Sequence, residues 1–190
     1  MKSILLVSVF SALSLCGLAQ FEFKYDSIEK RNRRDINDID ALYQVSEKGD
    51  FQLLFWMLPG QEDRRTLLVL TNKDQQWRAR YFERQKEDDR LTWKEHAVSQ
   101  EGIETLWKGL QENDVLHIKS SEDIKDLSFH PVKGGTLYYF ELLDKKGKRA
   151  YYYDCPKSQQ QHNTHKELHH VINMIQLLNS FTQEKQKPVC

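Results

Sequence analysis

Apolar positions along this chain recur with two different periods, and the periods separate its helices from its strands. Ile103, Leu106, Trp107 and Leu110 fall three and four residues apart, as do Leu168, Val171, Ile172, Ile175, Leu178 and Phe181. A 3.6-residue turn places each set on one side of a helix. The first helix is expected to enter from Ser99 as N-cap with Gly102 at its third position. The second is expected to enter from Asn163 or Thr164, with Glu167 behind it. A third helix is predicted around Ile36, Ile39, Leu42 and Tyr43, closing before Gly49.

The second period marks β-structure. Thr66-Leu67-Leu68-Val69-Leu70 and Arg78-Ala79-Arg80-Tyr81-Phe82 flank a polar turn at Asn72-Lys73-Asp74. Thr136-Leu137-Tyr138-Tyr139-Phe140 and Arg149-Ala150-Tyr151-Tyr152-Tyr153 flank a second at Asp144-Lys145-Lys146-Gly147. Branched and aromatic runs around such turns read as β-hairpins. The two superpose at a spacing of about 70 residues with a one-residue gap, and a helical pattern follows each. This suggests a duplicated hairpin-plus-helix unit over about 50–112 and 120–183, although two unrelated hairpins would share as much. Phe51 to Leu58 is apolar without alternation until Pro59-Gly60, which predicts a strand that is central or covered on both sides. A shorter strand is expected at Leu127-Ser128-Phe129, before Pro131.

The fold class that follows is α+β: an antiparallel sheet of about five to six strands with helices packed on one face. The chain lacks the Gly-rich βα turn of a doubly wound nucleotide-binding fold.

The N-terminus changes the picture. Lys2, an apolar run from Ile4 to Leu15 and the small residues Gly17 and Ala19 read as a secretory signal peptide over 1–19. The run is roughly 12 residues, short of the about 20 needed to cross a bilayer. Cleavage after Ala19 leaves 20–190 as a single α+β domain, secreted or periplasmic, with no transmembrane span. A competing reading anchors the protein by lipid at Cys16, but Leu15 stands where a lipoprotein signal wants a small residue.

Charge narrows the partners. The 28 basic residues, Lys2 among them, meet 28 acidic ones. A near-neutral chain has no long-range pull on a phosphate backbone, so nucleic acid is disfavoured. Cys155 and Cys190 remain after cleavage, and an even pair in an exported chain predicts a disulfide. It would close a loop of about 35 residues, worth about 4 kcal/mol in the chain-entropy picture.

Catalytic chemistry is weakly encoded. His162, His165, His169 and His170 gather near the start of the last helix, with His165 and His169 one turn apart. Lys166 follows His165, so the His-Glu-x-x-His zinc pattern is absent, and the cluster reads as a wet helix face. No metal or cofactor is expected. Cys155 beside downstream histidines invites a nucleophile reading, but a thiol with a partner in an oxidising compartment is expected to be bridged. No Gly-x-Ser-x-Gly elbow occurs. A carboxylate pair for glycoside hydrolysis cannot be located without geometry.

The hairpin faces carry the functional expectation. Aligning Ala79 with Ala150 puts Trp77, Ala79, Tyr81, Ala150 and Tyr152 on one face, assigned to the core because it holds no charge. Arg78, Arg80, Phe82, Arg149, Tyr151 and Tyr153 then form the outward face, since side chains alternate. Arg interleaved with Tyr and Phe is the composition of interaction hot spots. The expected function is an exported, non-enzymatic module that binds a protein or cell-envelope component through this face. The alternatives are a small exported hydrolase and the lipid-anchored envelope protein.

Overall fold

The computed structural model describes residues 49–60, 65–87, 90–182 and 190. The signal peptide, Cys16 and the helix expected around Ile36–Tyr43 lie outside the described residues. Among the described residues six strands form one antiparallel sheet: β1 (Phe51–Pro59), β2 (Arg65–Lys73), β3 (Gln76–Glu87), β4 (Arg90–His96), β5 (Thr136–Asp144) and β6 (Lys148–Asp154). Their spatial order is β4-β3-β2-β1-β5-β6. Among the described residues the α-helices are α1 (Ile103–Glu112), α2 (Pro156–Gln160) and α3 (Lys166–Phe181). The fold is α+β, with both hairpins where the residue pattern puts them; β4 has no counterpart among the predicted strands. None of the described helices is long and apolar enough to cross a membrane.

β1 is the keel of the sheet. It pairs with β2 on one side and β5 on the other, and Phe51 through Met57 are all buried. Its odd-numbered residues point toward the helical layer. Phe51 packs on Trp107 of α1 at 5.1 Å between ring centroids, and Trp107 packs on Trp77 at 4.9 Å. Phe55 and Phe140 meet at 4.9 Å and Phe140 stacks on Tyr151 at 4.9 Å, which continues the aromatic layer across β5 to β6. Such ring pairs add directional attraction to their buried area. Ile103, Leu106, Trp107 and Leu110 of α1 and the predicted stripe of α3 close this core, with Phe181 at its margin.

The even-numbered residues of β1 point the other way. Leu54 and Trp56 cluster with Leu67, Val69, Phe82 and Tyr139 on the second sheet face, and no described helix contributes a residue there.

Helix entry differs from expectation at both ends of the helical layer. Gly102, with φ of 79°, is the N-cap of α1, because a left-handed residue is needed there and only glycine adopts it without strain. Ser99 instead accepts a hydrogen bond from the Glu101 amide. α3 starts after His165, since Asn163 is committed elsewhere.

That commitment explains why the strand expected near Leu127–Phe129 has no strand partner. Residues 127–130 form a strap, and the side-chain amides of Asn163 and Gln159 serve as its ladder. Asn163 accepts from the Ser128 amide at 2.9 Å and donates to its carbonyl at 3.0 Å. Gln159 does the same for His130, at 2.9 and 2.7 Å. The two amides are four apart in sequence and the two clamped residues two apart. Buried backbone groups must be paired, and here two buried side chains do it.

Candidate interaction surface

Trp77, Ala79 and Tyr81 lie on the helical side, and Arg78, Arg80 and Phe82 on the second face, as expected for the first hairpin. Arg80 is held in a fixed pose. Its Nε and Nη2 donate to the two carboxylate oxygens of Glu95 on β4 at 2.8 and 2.7 Å. The guanidinium also lies 4.8 Å over the ring of Phe82. The Arg80 hydrogen bonds hold the Glu95 carboxyl below the usual carboxylate range. Arg80 keeps 30% of its side chain exposed, while Phe82 beneath it is buried.

Arg78 is exposed at the same corner and lines a shallow cavity of about 250 Å³ with Thr71, Lys73, Asp74 and Gln76. The corner is built by a two-residue turn: Lys73 pairs with Gln76, and Asp74 and Gln75 take φ of 51° and 62°. Asp50, at the entry to β1, accepts from the Asp74 amide at 3.0 Å and pairs with Lys145 of the other hairpin turn at 2.6 Å. The hydrogen bond from Lys145 lowers the Asp50 pKa and raises that of Lys145. One carboxylate thereby ties both hairpin turns to the end of the central strand.

The second hairpin reverses the expected orientation. Arg149, Tyr151 and Tyr153 lie under the helical layer, with Tyr151 0% and Tyr153 1% exposed, while Ala150 and Tyr152 sit on the second face. The three buried side chains serve the irregular segment after α1. Arg149 donates to the carbonyls of Leu116 and Ile118, Tyr153 to that of Lys119, and Tyr151 to that of Val115 at 2.9 Å. Arg149 also stands 5.3 Å from the Tyr151 ring centroid. Burial pushes both tyrosine hydroxyls to higher pKa, so they remain donors. The chemistry read as an outward hot spot is thus directed at the chain's own backbone.

The histidines divide into separate settings. His165 occupies the N-cap position of α3 without a side-chain capping hydrogen bond, and His169 is exposed, its Nδ1 2.7 Å from the Gln160 side-chain amide. His162 stacks against His130 of the strap at 4.0 Å between centroids. No group of three or more metal-capable side chains converges among the described residues. The Ser128 hydroxyl lies 3.1 Å from His130 Nε2, but no carboxylate of the described residues hydrogen-bonds that imidazole. The sulfurs of Cys155 and Cys190 stand at disulfide distance, so Cys155 is placed as a bridge partner. Sequence reasoning missed Glu95, whose strand it did not predict, and the clamp by Gln159 and Asn163. Against known proteins, the chain matches no family model and no curated sequence.

Proposed function

We propose that this protein is an exported binding module that engages a protein or cell-envelope component at the corner formed by Arg78, Arg80 and the adjoining cavity. The observation that carries the reading is the fixed, part-exposed guanidinium of Arg80, braced by Glu95 and backed by the buried Phe82 ring. A guanidinium already ordered in the free protein loses little side-chain entropy on contact, and Arg is enriched at hot spots. Exposed Arg78 and Lys73 beside it favour an acidic or carbonyl-rich patch on the partner. Export rests on the signal-peptide pattern and is consistent with the paired cysteines.

The test is affinity capture from the producing cell's envelope and medium with the mature chain and with its Arg78→Ala/Arg80→Ala variant. The expected result is a specific partner whose binding weakens by about 2 kcal/mol or more in the variant, as hot-spot truncations do. Equal retention of the partner by a folded variant would move the site away from this corner.

A further inference from the structure

We propose that the outer edge of the strap, over residues 127–131, pairs with an extended segment of a partner protein that adds to it as a short β-strand. The clamp fixes the strap's inner edge. Asn163 holds the amide and carbonyl of Ser128, and Gln159 holds those of His130. In a trans peptide unit the N–H and the C=O point in opposite directions, and no described peptide bond is cis. The Leu127 carbonyl, the Phe129 amide and the Phe129 carbonyl are therefore aimed away from the clamp. No hydrogen bond reaches any of the three from the described residues.

The side chains agree with an extended course. Ser128 Oγ lies 3.1 Å from His130 Nε2, as residues two apart on one side of a strand do. Phe129 projects to the other side. At 57% exposed, it is the one large apolar side chain in solvent among the described residues. The amides of Asn163 and Gln159 already order the main chain on either side of it, so little entropy remains to be lost on pairing. An apolar ring on a fixed support, beside unused main-chain groups, has the form of an anchor.

The groups on the edge identify the occupant. Acceptor, donor and acceptor follow one another at backbone spacing, which is the complement of an extended main chain. Strand addition takes its affinity from such bonds and its selectivity from the neighbouring side chains. The row ends at Pro131, whose nitrogen carries no hydrogen, and at the turn containing Asp126 with φ of 60°. It thus admits a short segment and not a growing sheet. A residue set opposite Phe129 would stand about 5 Å from it and is expected to be apolar or aromatic. Lys125 and Lys133 are exposed at the two ends, with Asp126 beside the first, so acidic flanks suit the segment. A second copy fits less well: a twofold about Phe129 sets the Leu127 carbonyl of one copy against the Pro131 nitrogen of the other. The edge shares no residue with the Arg78–Arg80 corner, so either proposal can fail alone.

The experiment pans a displayed library of random linear peptides against the mature chain, and the enriched sequence, made synthetically, is the probe. On binding, the probe should protect the Phe129 amide from hydrogen exchange. N-methylation of the probe should abolish binding at alternate residues and spare those between, the two-residue period of a strand. Phe129→Pro removes the donor and should weaken the probe by about tenfold or more, with amide exchange in α3 unchanged. Absence of an enriched sequence, a probe that leaves the Phe129 amide unprotected, or N-methyl losses without alternation would each overturn the proposal. Self-association of the chain that Phe129→Pro abolishes would give the edge to a second copy and overturn it too. If Phe129→Pro fails to fold, the N-methyl pattern on the wild-type protein decides the matter.

Discussion

The hairpins β2–β3 and β5–β6 share composition and turn length, yet the outer strand of one presents to solvent what the other buries. Ala79 faces the helices, whereas Ala150 faces away. The cause is parity. Lys73 pairs with Gln76 in the first hairpin, and Leu143 pairs with Lys148 in the second with Asp144 donating to Gly147 across the turn. Both turns contain two residues, so the second hairpin is longer by one residue on each strand. A ladder that keeps its turn grows in pairs, which preserves the facing of every side chain. The one-residue gap that aligned Ala79 with Ala150 breaks that rule, and a slip of one exchanges the faces. With two residues inserted, Ala79 matches Tyr151, and both lie under the helical layer.

The largest effect should come from testing this parity directly. Tyr151→Ala removes a fully buried ring and leaves the Val115 carbonyl without its donor, so it should cost about 3–5 kcal/mol in denaturant unfolding. Tyr152→Ala, on the half-covered second face where its hydroxyl meets Glu122, should cost a small fraction of that. Equal costs would mean that the outer strand does not face as described.

The bridge separates the hairpins next. Only β6 runs directly into a cysteine, and Cys155 also donates its amide to Thr136 at 3.1 Å. Cys190→Ala should lower stability by about 2–4 kcal/mol, the usual worth of a bridge closing a loop of this size. Wild-type protein should show the same loss in reductant and the variant none. A reductant-insensitive wild type would show that the bridge is not closed.

A smaller effect distinguishes the two arginines. Arg149→Met should cost about 1–3 kcal/mol, because the Leu116 and Ile118 carbonyls lose a buried charged donor. Arg80→Met should cost less than about 1 kcal/mol, since an exposed ion pair contributes little. Reversal of that order, read in the same unfolding assay, would exchange their roles.

What the sequence carried was local, and what it lacked was relational. The stripes of α1 and α3, the unbroken apolar run of β1 and both hairpin turns were legible because period and turn chemistry are properties of neighbours in the chain. The face of β6 depended on a gap length that composition could not supply, although parity alone would have rejected an odd one. The strap at 127–130 looked like a strand because its backbone needs a ladder. That the ladder is Gln159 and Asn163, some thirty residues on, is visible only in three dimensions. Glu95 was hidden for the same reason: a carboxylate acquires meaning when β4 places it against Arg80.

The finest distinction between the hairpins is their response to acid. Arg80 is paired with a carboxylate, and Arg149 with carbonyl dipoles that do not titrate. The Glu95 pKa is lower in the folded protein than in the unfolded chain, so its contribution is complete above the ordinary carboxylate range. That contribution is lost as pH falls through the lowered value. Because the pair is part exposed, water and salt screen it, and its share of stability stays small. The sharper readout is the titration of the Glu95 carboxyl carbon by NMR. Its midpoint should rise in Arg80→Ala and stay where it is in Arg149→Met. A midpoint indifferent to Arg80 would break the fixed guanidinium pose on which the binding corner depends, while one that moved with Arg149 would couple two surfaces that the sheet keeps on opposite sides.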